Sequence, residues 1–203
     1  MISIEQALIF MYTQQLIQNL KNNNMAILRT DTLYGIVGRA ESSEVVERIY
    51  RLKERDSDKP FLILIDSASD IEKFGVELTS QQRDILEKYL PASITFILPI
   101  STEFQQKFSY LHRGRNSFAF RIPNKIMLRD LIAEVGPLVA PSANPQGVNP
   151  AQTISQARDY FDDKIDVYID EGAVPTDTPA STIVDLTTKN PRVVREGSVK
   201  FVT

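Results

Sequence analysis

Phe61-Leu62-Ile63-Leu64-Ile65 is an unbroken apolar run between Pro60 and Asp66. A run this short fits a strand, and the lack of polar alternation marks one covered on both faces. Such a strand needs helices above and below a sheet, which makes the fold class α/β. The flanking sequence agrees. Upstream, Ser43 reads as a helix cap, with Val45, Val46, Ile49, Tyr50 and Leu52 packing inward. Before it, Ser3 and Gln6 read as a capping box. The apolar positions Ile4, Ala7, Leu8, Met11, Leu16 and Leu20 then follow helical spacing until Asn22-Asn23-Asn24. Downstream, Thr79 and Gln82 cap a helix that Pro91 ends. Residues 127–135 and 154–161 also read as helices. Residues 25–28, 94–98, 118–122, 138–140, 167–169, 182–186 and 192–195 read as strands. Helices and strands do not alternate regularly in the second half, so a mixed sheet is expected. With no linker, repeat or low-complexity tract, residues 1–203 read as a single domain.

The composition narrows the function. The 203 residues are 42% hydrophobic and 24% charged, which suits a globular core. The net charge is −3 and the pI about 5.3, whereas general nucleic-acid binders are more often basic. There is no cysteine, which excludes disulfides, cysteine-ligated zinc and thiol catalysis. One histidine, His112, excludes a multi-histidine metal site, and it reads as an exposed loop residue. No apolar run approaches the ~20 residues of a membrane span, and residues at the N-terminus do not read as a basic n-region followed by an apolar stretch and a small-residue cleavage site. A cytoplasmic protein with no membrane partner is expected.

Two distant motifs fit one anionic ligand. Lys53-Glu54-Arg55, followed by Lys59-Pro60, places an ammonium and a planar fork near each other. Ser142-Ala143-Asn144 adds neutral polar groups, delivered by the strand at 138–140 to the end where ligands of open α/β sheets bind. The plain alternatives are a solvated helix C-terminus and an ordinary turn. Thr30-Asp31-Thr32-Leu33-Tyr34-Gly35 follows a strand and reads as a strand-to-helix turn, in which Asp31 serves as an Asx turn or cap. In Ser117-Phe118-Ala119-Phe120-Arg121, alternation puts Arg121 opposite the two phenylalanines. A strand arginine can equally snorkel to the surface. Residues 105–129 hold six Lys or Arg and no Asp or Glu. They read either as an anion-facing rim or as a face compensated from elsewhere. No Gly-rich phosphate loop and no dinucleotide fingerprint is present, so any nucleotide site must be built from side chains.

Taken in order, Thr30 to Gly35, Lys53 to Arg55, Ser142 to Asn144, Ser181-Thr182 and Arg195-Glu196-Gly197 resemble the motif series of the YrdC/Sua5 family of threonylcarbamoyl-AMP synthases. The chain resembles the short form, without a further C-terminal domain. It departs from the family at Arg29, where a proline is usual. The resemblance implies a YrdC-like twisted mixed sheet flanked by helices, with a concave ligand cleft. It implies formation of threonylcarbamoyl-AMP and pyrophosphate from L-threonine, bicarbonate or CO₂, and ATP, for tRNA threonylcarbamoyladenosine modification. Lys53 and Arg55 would be the catalytic cations. ATP would be held by Lys53, Arg55, Ser117, Ser142, Asn144 and Arg195. Threonine would be held by Thr30, Thr32, Arg121 and Ser181. Mg²⁺ would arrive with ATP, without a dedicated metal site and without an organic cofactor. Downstream threonylcarbamoyl-transfer proteins would take the product. Two other readings remain: an RNA-contacting or nucleotide-binding module using residues 105–129, and a relative with another acceptor.

Overall fold

The computed structural model describes residues 4–202. In chain order the elements are α1 (Ile4–Lys21), β1 (Ala26–Arg29), β2 (Tyr34–Arg39), α2 (Ser43–Lys53), β3 (Leu62–Leu64), α3 (Asp70–Lys73), α4 (Ser80–Tyr89) and β4 (Ile94–Pro99). There follow α5 (Ser109–His112), β5 (Ser117–Arg121), α6 (Ile126–Val135), β6 (Leu138–Val139), α7 (Ile154–Phe161), β7 (Val167–Tyr168), β8 (Thr182–Asp185) and β9 (Arg192–Arg195). The nine strands form one mixed sheet in the order β7-β1-β2-β6-β3-β5-β4-β8-β9. β3–β5, β4–β8 and β1–β7 are parallel, and the other pairs are antiparallel.

Local chemistry sets most boundaries. The Thr79 side chain accepts from the Gln82 N–H while the Gln82 side chain accepts from the Thr79 N–H, as the sequence predicts for α4. The cap of α2 is Ser42, one residue before the expected Ser43, and its hydroxyl accepts from Val45 N at 3.4 Å. The Ser3 cap lies outside the described residues. The largest departure is at 30–35. Thr30 to Leu33 do not lead into a helix. They turn the chain into β2, which pairs antiparallel with β1 in the register Arg29↔Tyr34 and Leu28↔Gly35.

Alternation along the strands separates two cores. Ile27, Ile36, Ile63, Val139, Phe96, Phe118, Phe120 and Val184 face α2, α4, α5 and α7. On the other face Ala26, Leu28, Val37, Leu64 and Leu138 meet Leu16 and Leu20 of α1 and Leu128, Leu131 and Ile132 of α6. That second cover stops at β3. Ala119 and Arg121 share its face through pairing with Leu62 and Leu64, and the register carries the face on to Ile97, Pro99, Ile183 and Asp185. Over β5, β4 and β8 this face is left open, and its residues line a cleft of about 830 Å³. Among the described residues no helix is long and apolar enough to cross a membrane.

Candidate functional site

The turn between β1 and β2 forms one wall of the cleft. Thr30 N–H and Oγ1 both donate to Leu33 O, at 3.0 and 2.8 Å, while Thr30 Oγ1 and Thr32 Oγ1 are 3.1 Å apart. Both threonines are buried and line the cleft. Tyr34 is fully buried. Its hydroxyl donates to Gly172 O and accepts from Glu171 N, tying the 170–172 segment to the hairpin. Arg29, in the place of a proline, supplies an N–H that donates to Glu171 Oε1 at 3.2 Å, which a proline cannot do. Its carbonyl accepts from Lys125 Nζ at 2.6 Å. Gly35 approaches Pro141 so closely that an added Cβ would lie 3.3 Å from the Pro141 carbonyl oxygen.

Asp31 is neither an Asx turn nor a helix cap. Its side chain is buried, and Oδ1 lies 3.1 Å from Arg121 Nη2. The other carboxylate oxygen accepts from Ser93 Oγ at 2.7 Å and from Asn124 N at 3.3 Å. Arg121 is 3% exposed and lines the cleft on the face opposite Phe118 and Phe120, as the alternation predicts. Burial lowers its pKa, and the Asp31 charge acts in the opposite sense.

The opposite wall joins two loops. α2 ends at Glu54 in a left-handed conformation, which turns Lys53 and Arg55 apart. Arg55 donates from Nε to Lys59 O at 3.0 Å and from Nη2 to Pro60 O at 3.3 Å. Its guanidinium lies over Phe61 at 5.2 Å and lines the cleft. Lys53 points elsewhere. It is 2% exposed, and its Nζ donates to Ser142 O at 2.5 Å and to Asn144 O. Its carbonyl accepts from Gln146 N at 2.8 Å, and Gln146 Oε1 accepts from Asp56 N at 2.9 Å. The loops at 53–59 and 142–150 are thus fastened in both directions. Burial first, then the nearby Arg55 charge, push the Lys53 ammonium down to about 7. Ser142 Oγ donates to Asn144 Oδ1 at 2.5 Å, and Asn144 Nδ2 donates to Pro145 O and Val148 O.

The floor is closed at β8 and β9. Arg195 donates from Nε and Nη2 to Ser181 O at 3.0 and 2.7 Å, and from Nη2 to Ser181 Oγ at 3.1 Å. Ser181 Oγ is also 3.1 Å from Thr95 Oγ1. Gly197 explains the glycine of the Arg-x-Gly motif. A Cβ there would fall 2.3 Å from Ala180 O and 2.4 Å from Thr182 N, so only glycine lets the chain pass behind Ser181.

Of the residues expected from sequence, Thr30, Thr32, Arg55, Ser117, Arg121, Ser142, Ser181 and Arg195 line this one cleft. Lys53 and Asn144 do not; they lie behind the wall that Ser142 presents. Asp31 and Ser93 are additions that sequence reasoning missed, because Asp31 meets Arg121, and Ser93 meets Asp31, across long stretches of chain. The cation-rich stretch at 105–129 is compensated from other segments: Arg113 pairs with Glu47, Arg115 with Asp58, Arg121 with Asp31 and Lys125 with Glu171. Lys107 Nζ lies over the Phe108 ring at 4.8 Å. His112 is buried, not exposed, with Nε2 2.7 Å from Gln105 O and Nδ1 accepting from Gly114 N at 3.1 Å. Among the described residues no group of three or more His, Asp or Glu could hold a metal ion. The cleft carboxylates Asp58 and Asp185 are paired with Arg115 and Arg192.

The family model Sua5/YciO/YrdC, described as "Telomere recombination", matches residues 18–197. A Mycobacterium tuberculosis relative is 32% identical over 181 residues, covering 89% of this chain and 81% of that one. A Pyrococcus abyssi protein named threonylcarbamoyl-AMP synthase is 28% identical over 182 residues, 89% of this chain and 52% of that one. The structure of P. abyssi Sua5 in complex with L-threonine superposes with a TM-score of 0.80 at 26% identity, covering 91% of this chain and 54% of that chain.

Proposed function

This chain belongs to the Sua5/YciO/YrdC family, and we propose that within it the chain is an enzyme, a threonylcarbamoyl-AMP synthase of the nucleotidyltransferase class. The observation that carries the reading is one cleft that gathers Arg55, Arg121 and Arg195, beside Arg115 and Arg192 with their Asp58 and Asp185 partners, and the hydroxyls of Thr30, Thr32, Ser117, Ser142 and Ser181. Three forks suit one carboxylate and one polyphosphate. The threonine complex of the P. abyssi Sua5 relative supports an amino acid as one occupant.

In this reading the threonine amine adds to CO₂, or to bicarbonate with loss of water, and gives a carbamate. A carbamate oxygen attacks the α-phosphorus of ATP, the bond to the β-phosphate oxygen breaks, and pyrophosphate leaves. Arg121 takes the threonine carboxylate, with Thr30, Thr32 and Ser181 around the amino acid. Arg55 and Arg195, with Ser117 and Ser142, take the phosphates and offset the charge that grows on the leaving group. Lys53 and Asn144 hold the Ser142 loop in place from behind. The protein's main contribution is to hold carbamate and nucleotide in line. Asp58 and Asp185 are engaged by Arg115 and Arg192, and in this reading Mg²⁺ would arrive with ATP and would supply charge neutralisation on its phosphates. The product is consumed in threonylcarbamoylation of tRNA by transfer proteins, a cytoplasmic task.

The test is pyrophosphate release from ATP with threonine and bicarbonate each omitted in turn. Release that requires both supports the synthase. Release without threonine points to another acceptor, and ATP binding with no release points to a nucleotide-binding module.

A further inference from the structure

Arg121 and Asp31 are an ion pair shut away from water at the edge of the cleft, with side chains 3% and 2% exposed. Asp31 is the only carboxylate paired with Arg121 among the described residues. Arg121 Nη2 lies 3.1 Å from Asp31 Oδ1 as a charge contact, and Asp31 Oδ1 and Arg121 Nε are both buried without a hydrogen-bond partner. A buried N–H left unpaired is costly, and a bidentate carboxylate is the ligand that a guanidinium edge accepts best. Asp31 is itself held from behind. Ser93 Oγ and the backbone N–H of Asn124 both donate to its Oδ2. The pair therefore has one anchored end and one open end.

We infer that Asp31 is a positioning residue, which aims the Arg121 fork at the carboxylate of the amino-acid substrate. This rests on the reading of Arg121 given above. Without Asp31 the guanidinium has no fixed anion to set its direction, and the side chain can turn to other acceptors. With it, the free Nε–H is presented in a set direction before the substrate arrives, which is preorganisation of a binding group. Asp31 does not touch substrate; it acts through Arg121. The Ser93 and Asn124 contacts reach Arg121 by one further step.

The experiment is a double-mutant cycle of Asp31→Asn and Arg121→Gln on the full chain, reading threonine and ATP affinities separately by calorimetry, with thermal melts to establish folding. Asp31→Asn keeps the shape and the acceptor for Ser93 but removes the charge. It is expected to weaken threonine binding by at least about tenfold, while ATP binding stays within about twofold. In the Arg121→Gln background the same change is expected to cost threonine binding nothing further. Should Asp31→Asn fail to fold, Ser93→Ala decides: it leaves the pair intact but frees Asp31, and a selective loss of threonine affinity of about threefold supports the inference. Unchanged threonine affinity in folded Asp31→Asn (or in Ser93→Ala where that variant decides), or an equal loss of threonine and ATP, overturns it while leaving the role of Arg121 standing. So does a loss from Asp31→Asn that persists undiminished without Arg121. If Arg121→Gln alone leaves threonine affinity unchanged, the reading of Arg121 falls, and the inference with it.

Discussion

Lys53→Met separates the fastening of the two loops from the charge that does the fastening. The wild-type ammonium has a folded pKa of about 7 against an ordinary value of 10.5. Below pH 7 both folded and unfolded chains carry the proton, and the cost of burying it is fully present. At about 1.4 kcal/mol per unit that cost is on the order of 5 kcal/mol. Between pH 7 and 10.5 the unfolded chain binds more protons than the folded one, so stability rises with pH. From pH 7 to pH 9 the wild type should gain about 2 kcal/mol from this group alone. The methionine variant has nothing to titrate there. It also leaves Asn144 O without its Lys53 donor, a pH-independent loss of about 1–3 kcal/mol for the unpaired carbonyl, whereas Ser142 O keeps the Asn144 N–H at 3.0 Å. Urea denaturation at pH 7, 8 and 9 reads both effects. The expected result is a wild type that gains about 2 kcal/mol of stability relative to the variant over that range. Profiles that run parallel would refute the assignment of a depressed, buried Lys53.

Gly197→Ala forces backbone at Ala180 and Thr182 to move, because its Cβ would lie 2.3 and 2.4 Å from their atoms. It should cost at least about 2 kcal/mol in urea denaturation and lower pyrophosphate release by about a hundredfold through Ser181 and Arg195. Wild-type turnover in that variant would show that the floor tolerates displacement. Arg55→Lys keeps the charge but loses the fork that clamps Lys59 O and Pro60 O and lies over Phe61. A rise of about tenfold in the KM for ATP, with the threonine KM unmoved, is expected in steady-state assays. Tyr34→Phe removes the hydroxyl that joins Glu171 N and Gly172 O. It should cost about 1–2 kcal/mol in thermal or urea melts and speed amide exchange at 170–172. Exchange unchanged there would mean that Lys125 and Arg29 hold the segment without it.

Most of the strands were legible because burial on two faces writes itself into the chain. The run at 61–65 and the alternation of Phe118 and Phe120 with Ala119 and Arg121 each depend on neighbours in sequence only. β2 was not legible. Tyr34-Gly35-Ile36-Val37-Gly38-Arg39 has two glycines in six residues, which weakens a strand signal. Both glycines answer to remote parts of the chain. Gly35 admits the Pro141 carbonyl, and a Cβ on Gly38 would meet Val45 Cγ1 of α2 at 2.3 Å. A hairpin therefore looked like a turn into a helix.

The site shows the same division between what is local and what is remote. Most of the residues that line the cleft could be read from motifs, because a motif's side chains are carried by adjacent residues of one turn or strand. What each charged side chain does there could not, because charge is settled by partners from other segments. Residues 105–129 carry six cations and no anion, yet four of those cations meet carboxylates at 31, 47, 58 and 171. A stretch neutralised in this way is a poor basis for a salt-dependent RNA contact, since it has few unpaired charges with which to displace counterions. Lys53 and Arg55 stand two residues apart and look equivalent in sequence. The left-handed Glu54 between them sends one ammonium into the protein and one guanidinium into the cleft. The polarity of the cleft is thus decided by a backbone turn and by buried ion pairs, and the local count of charges does not predict it.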